Sequence, residues 1–565
     1  MFCRITGAGW LLTSLCVALL TSVTPVLASS AQWDCHPQRQ CDPADCVVTS
    51  SLSPSSTSAS FLLTATTTTP TALYVEYEPT DPVSGVPRLR SLPSTCGTSH
   101  TLSLDRLVAS TAYAYDLYYL RDRHPFTPVR ILSGTFLSSP LPSPLAAVDF
   151  TRVSGSASYH LGLSVYPSPA TPTYPATQPR DTYGFIFDRD GRIVWWLDMV
   201  HPLSYFNGFG FAKKGRTDIP APLGNDDWLH YVQERQGVNM NVVSMGTDRI
   251  IEYSPSGSVV QSAQSNPDCQ YLHHEAELDA VNENLVWSLG RKSFAAPGFA
   301  RRQLGDTAVL WDASVPGNQE TQTVLEFADY VNVDDRTEDS NTTDPFWAGC
   351  PVTGDIDRST EDWTHGNSLK RAEDGSALLL ASFRHVDAIV ALEGIDDHGN
   401  PTAGGIRKAW QMGGEESDFT FTHEEDKFYH QHDAHILQNG HVLLFDNGNF
   451  RPEGEYSRGL ELEIDTQTKT VTKVWEGVLP LENGVKCFSF CCGSTQRLDN
   501  GNTLVQFPNC VNDGNPFPGR YAYTVEFDPN GTIVSQYRTT LTDFVAFYRS
   551  RDIGSSIGGE VEITR

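Results

Sequence analysis

Positive charge is what this 565-residue chain has least of: 40 Lys and Arg stand against 68 Asp and Glu, a formal charge of −28. Phosphate backbones are bound through basic stripes, and none is visible, so the sequence argues against a nucleic-acid partner. The acidic excess speaks to solubility and names no partner. Long apolar runs are missing too. After Arg4 comes the apolar stretch GWLLTSLCVALL, short for a membrane span, and no later segment keeps about twenty apolar residues together. Followed by VTPVLA, with the slim or small Val26 and Ala28, it has the layout of a secretory signal over residues 1–28. The alternative is an uncleaved anchor. Either way the chain is expected to be secreted or extracytoplasmic.

Of 12 cysteines, Cys3 and Cys16 fall in the signal, leaving an even ten. In an exported chain these predict disulfides, whose pairing spacing cannot give. They cluster early (Cys35, Cys41, Cys46, Cys96) and late (Cys487, Cys491, Cys492, Cys510), with Cys269 and Cys350 apart. Asn341 and Asn530 open glycosylation acceptor triplets.

Length predicts two or three folded units. Residues 30–140 hold short β-rich runs (ASFLLTAT, TALYVEYEP, HTLSLDRL, TAYAYDLYYL, VRILSGTFL) parted by Pro, Gly and Ser turns. Leu107 followed by Tyr113 and Tyr115 resembles the tyrosine-corner pattern of fibronectin type III or immunoglobulin-like sandwiches, so this region is expected to be one β-sandwich. Residues 141–150 are Pro-rich and read as a linker. From 151 to 550 two half-patterns alternate. One is an apolar run, an Asp/Asn-Gly turn and a second run, as in LKRAEDGSALLLAS, HILQNGHVLLF and TQRLDNGNTLVQF. The other is a strand pair often ending in Trp, as in YGFIFDRDGRIVWW and LELEIDTQTKTVTKVW. Four strands per unit, recurring about every sixty residues, predict a β-propeller of about six blades. The stretch 291–362 lacks clear blade pattern in places and is expected to hold a long insertion; 551–565 reads as a tail. The predicted class is all-β, a sandwich followed by a six-bladed propeller.

Aligning the repeats on their apolar positions brings three histidines into register. His274 stands four residues before Leu278, His365 four before Leu369 and His432 four before Ile436; the next copy has Ser494 before Leu498. Equivalent positions in stacked blades face one axis, so the three are expected to meet in one funnel. A three-histidine site would suit zinc or iron. HQHDAH, however, only nearly matches the H-x-H-x-D-H zinc motif, since Asp433 comes one residue early. The other chemistry is nucleophilic catalysis, in which a neutral imidazole attacks an electrophile and nearby Arg, Asn and His stabilise anionic oxygens. Asn367, two residues past His365, and Arg384, on the returning strand, supply such groups. His430 and His435 read as local structure or supporting residues.

HHEAEL (273–278), DWTHGNSL (362–369), SFRH (382–385), QHDA (431–434) and FDNGN (445–449) together resemble the motif series of the bacterial-type arylsulfotransferases, the family that uses sulfate esters rather than a nucleotide sulfate donor. The resemblance covers roughly residues 180–540. It implies that His432 becomes sulfated and that His274, His365, Asn367 and Arg384 surround the transferring group. It also implies an aryl sulfate donor, a phenolic acceptor and no cofactor or catalytic metal. His273 beside His274 leaves that position ambiguous by one residue. The competing functions are a secreted binding or adhesion propeller without catalysis, and a metal-dependent hydrolase or lyase.

Overall fold

The computed structural model describes residues 46–563, apart from 57, 84, 92, 120–127, 147, 156–160, 167–182, 199–208, 216–225, 235–248, 255, 265–271, 316, 318–319, 336–360, 482–483, 511–519, 542–545 and 553–560. The signal at 1–28 and Asn341 lie outside the described residues. Among the described residues, apart from a helical turn at Ser143–Ala146 and a few 3-10 turns, the regular structure is all β.

Near the N-terminus a three-stranded sheet (Val47–Pro54, Phe61–Thr71, Gly97–Leu104) faces a five-stranded one. The second sheet runs Val561–Ile563, Arg88–Arg90, Leu73–Pro79, Ala112–Tyr119, Val129–Leu137, so the end of the chain returns to this unit. Phe61 shows why two sheets must pair: its strand alternates buried and less buried residues, and the buried set needs a cover. Leu63, Ala65 and Leu102 meet Val75, Tyr77, Tyr113 and Leu117 in one core. Tyr113 is buried, and its hydroxyl accepts the Val108 N–H at 2.9 Å, the bond a tyrosine corner makes.

Among the described residues six further sheets follow, each built on a four-stranded antiparallel meander. In five the four strands run in sequence order, the first is opened by a strand from late in the chain, and the third, fifth and sixth each pair with one strand more. Their opening strands are Ala546–Asp552, Phe209–Gly215, His273–Leu278, Gly366–Arg371, His432–Ile436 and Ser494–Arg497, for the first to sixth sheets. From Phe209–Gly215 to Ala546–Asp552, each opening strand touches the next. Successive sheets also share apolar cores: Ile250 with Trp311, Trp287 with Val390, Leu380 with Leu444, Phe445 with Val505, and Leu504 with Phe185. Glycines at positive φ close the Asn-Gly turns, as at Gly440 (82°) and Gly501 (85°), where a side chain would be strained. The chain ends are crossed: Asp149–Ser154 completes the sixth sheet, while Ala546–Asp552 opens the first.

The stretch 291–362 departs from its expectation over its first half. Leu285–Phe294 runs into it, and Gln303–Asp312 and Gln322–Glu326 complete the third sheet. Gln303–Asp312 is buried at every position but the last, so no alternation marked it in the sequence.

Candidate functional site

The histidines sit where the opening strands of the third, fourth and fifth sheets are irregular. Pairing slips between His273 and Glu277, between Gly366 and Ser368, and between His432 and His435. At or beside each slip a residue other than glycine takes positive φ: His274 at 58°, His365, just before its slip, at 48° and, one place later in the fifth sheet, Asp433 at 60°. Such conformations cost about 1–3 kcal/mol each and gather at functional sites. Downstream of the slips the aligned register is regular, with Leu278 opposite Val286, Leu369 opposite Ala381 and Ile436 opposite Val442.

The slips bring rings together. His274 and His365 have centroids 5.3 Å apart, and His365 and His385 4.5 Å. His365 and His432 both act electrostatically on His274, and His365 acts on His432, so the three share one electrostatic neighbourhood. Arg384 joins them: its backbone N–H donates to His365 O at 3.2 Å, and its guanidinium donates to Phe490 O at 3.3 Å. Asn367 is buried, donates from Nδ2 to Gln431 O at 2.7 Å, and leaves Oδ1 without a protein hydrogen bond. All five sequence-named residues therefore converge. His430 lies beside them, with Nδ1 3.1 Å from Asp387 and its ring near those of His385 and Phe450. His435 turns to its own strand, with Nδ1 donating to Asp433 O at 3.0 Å.

At His432 the protonation pattern can be read from its neighbours. Asn447 Nδ2 donates to the carbonyls of Ser489 (2.8 Å) and Cys492 (3.1 Å), which fixes the amide so that Oδ1 faces the imidazole. An amide oxygen only accepts, so His432 Nδ1 carries the proton in the 2.7 Å bond to it. The lone pair is then on Nε2, where the Cys492 N–H donates at 3.2 Å. Burial first, then the charge of Arg384, holds the His432 pKa well below the ordinary histidine value. Burial, then His273 and His365, does the same at His274; burial, then Arg384, does so at His365; and burial, then His365, takes His385 down to about 3. The site is a set of neutral imidazoles under cationic influence from Arg384, Arg291 and Arg549. Within a strongly acidic chain, this is a place for an anion.

Several of these groups escaped the sequence reading. Arg549 comes from the first strand of the first sheet, where it pairs with Glu275 at 2.5 Å and donates to Asn367 O at 2.6 Å. Nothing in its local sequence marks it. Asn447 lies in FDNGN and Asp362 in DWTHGNSL, both quoted motifs, but no role was attached to either. Asp362 accepts from His365 Nδ1 at 2.5 Å on its carboxylate and from His385 Nδ1 at 2.9 Å on its carbonyl. Asp362, His365 and His385 each offer a ligating atom within 4.8 Å of the others. Both Nδ1 atoms are committed to Asp362, so the trio is a hydrogen-bonded group that orients rings.

A family model described as arylsulfotransferase (ASST) matches residues 147–548, most of the chain. The chain belongs to the arylsulfotransferase family. Among curated proteins, the arylsulfate sulfotransferase AssT of Escherichia coli O6:H1 (strain CFT073) is 42% identical over 104 residues, which cover 17% of this chain and 16% of that protein. The chain thus matches only a small part of that relative's length. Among solved structures, a glucose dehydrogenase aligns at 8% identity and a TM-score of 0.24, covering 60% of this chain and 97% of that one. A mutant NanB sialidase from Streptococcus pneumoniae aligns at 8% and 0.29, covering 86% and 95%. Likeness at that level carries no argument.

Proposed function

We propose that this arylsulfotransferase moves a sulfuryl group from an aryl sulfate ester to a phenolic acceptor, through a covalent intermediate on His432 and without a nucleotide donor. The observation that carries the reading is the Nε2 lone pair of His432, fixed by Asn447 and kept unprotonated among cationic side chains. In the first half-reaction Nε2 attacks sulfur, the S–O bond to the aryl group breaks, and a phenol or phenolate leaves. Arg384 and Asn367 hold the sulfuryl oxygens, and the Cys492 N–H, displaced from Nε2 as the N–S bond forms, turns to one of them. In the second half-reaction the acceptor oxygen attacks sulfur and His432 is regenerated. Holding the reacting atoms in line supplies most of the rate, as in phosphoryl transfer.

The six meandering sheets, touching in succession through their opening strands, support reading them as the blades of one propeller with the site on its axis. The tyrosine-corner bond supports a fibronectin type III-like sandwich before it. The signal layout and disulfides support export, in which case the exposed Asn530 would be open to glycosylation.

The test is incubation with a chromogenic aryl sulfate, with and without phenol. Phenol-dependent release and a trapped sulfo-enzyme are expected of the native chain, and both disappear in His432→Ala. Undiminished turnover in that variant sinks the assignment; release without phenol makes the chain a sulfatase.

A further inference from the structure

His273, ambiguous in the sequence, has a defined place. Its Nε2 lies 3.0 Å from Asp306 Oδ1 and 3.3 Å from Gly290 O, and its Nδ1 lies 2.8 Å from Nδ1 of His274. Asp306 is buried and engaged on its other oxygen as well, where Oδ2 accepts the Thr364 hydroxyl and the Gly366 N–H, each at 2.6 Å. Gly366 allows that approach, since a Cβ there would stand 2.8 Å from the same oxygen. Burial pushes the Asp306 carboxyl up, but the bonds from His273, Thr364 and Gly366 outweigh it and hold the group below its ordinary value.

A carboxylate only accepts, so His273 must donate from Nε2. Neutral His273 then has its lone pair on Nδ1 and accepts from His274, which must donate from Nδ1. That leaves the lone pair of His274 on Nε2. We propose that Asp306 and His273 are positioning residues that fix His274 in this tautomer, so that its Nε2 exchanges the proton of the phenol oxygens. The proposal rests on the sulfuryl-transfer reading. As the acceptor oxygen bonds to sulfur and the N–S bond to His432 breaks, the phenol proton passes to His274 Nε2. In the next turnover the same proton goes to the departing aryl oxygen, and His274 returns to neutral. While His274 holds it, the negative charge of Asp306, conveyed through His273, offsets the cost of an imidazolium beside His365 and Arg291. The aspartate–histidine pair of serine hydrolases acts by the same tautomer logic.

The test is Asp306→Asn. The asparagine oxygen can still accept from Thr364 and Gly366, but its amide donates to His273 Nε2. Both tautomers then invert, and the His274 proton moves to Nε2. In the full chain with 15N-labelled histidine, ring nitrogen shifts assigned with His274→Gln should show His274 protonated on Nδ1 in the native chain and on Nε2 in Asp306→Asn. Phenyl sulfate, with a basic leaving group, should lose about 10²-fold or more in rate, while 4-nitrophenyl sulfate, which needs little proton assistance, loses far less. His273→Gln, whose amide can donate to Asp306 and accept from His274, should keep the native tautomer. It is read instead if Asp306→Asn does not fold. A native His274 protonated on Nε2, or equal losses on both esters, overturns the proposal. If the native chain transfers from no aryl sulfate, the sulfuryl-transfer reading fails, and the tautomer measurement still decides the positioning.

Discussion

A neutral imidazole has one N–H and one lone pair, and at His432 the amide of Asn447 settles which nitrogen holds which. Had a carboxylate stood there, it would have favoured the imidazolium, which cannot attack sulfur. Asn447→Asp tests this. The native rate should have no acidic limb from His432 near pH 6.5, because its pKa lies well below that value. A carboxylate 2.7 Å away stabilises the protonated ring, and the limb should move up by about 1–3 pH units. Activity is then lost as pH falls through the raised value. Asn447→Leu, which merely frees the ring, should lose roughly 10–100-fold at every pH. Superimposable pH profiles for the native and aspartate forms would remove Asn447 from this role.

The opening strands of the fourth, fifth and sixth sheets were visible in the sequence because Asp-Gly and Asn-Gly turns punctuate them, and that of the third because His274 shares a register with His365 and His432. What stayed hidden was buried on both faces or joined from far along the chain. Gln303–Asp312, which carries Asp306, has no alternation to betray it. Arg549 reaches the site only because the last long strand pairs with Leu161–Tyr166 to open the first sheet. The alignment also treated the three histidine positions as alike, whereas at the fifth sheet's slip the residue with positive φ is Asp433 rather than His432. One late element can be tested directly. Cys487 and Cys510 are joined by a disulfide 23 residues apart in sequence, as the late cysteine cluster allowed. The bond anchors the segment that offers Phe490 O to Arg384 and Asn449 and the Cys492 N–H to His432. Replacing both cysteines by serine should cost about 2–4 kcal/mol. Thermal melting should fall accordingly, and turnover should drop as the segment loosens. Unchanged melting and turnover would show that the neighbouring backbone bonds hold the segment by themselves.

Across the whole molecule, buried charge ties the sheets together at their inner ends. Asp433 of the fifth sheet accepts from Lys370 of the fourth (2.7 Å), from Thr495 N of the sixth (2.9 Å) and from Arg551 of the first (2.8 Å). Glu275 of the third pairs with Arg549, which lies 3.7 Å from Asp433. Burial pushes the Asp433 carboxyl up, but Arg551, Lys370 and Arg549 more than offset this and hold it well below the carboxylate range. Its stabilising effect is present at neutral pH and lost only in strong acid. The histidines respond earlier. His385 and His435 are lowered to about 3 and about 4, in each case by burial first, so the folded state keeps them neutral while the unfolded chain protonates them near pH 6.5. Since the unfolded state then binds more protons, stability falls as pH drops below about 6.5, at about 1.4 kcal/mol per pH unit for each such histidine. Melting should be nearly constant above pH 7 and decline between pH 6.5 and 4.5. His435, which bonds only its own strand, allows the sharpest check: His435→Gln should make that decline shallower by one histidine's share. An unaltered slope would mean that His435 already carries its proton in the folded chain.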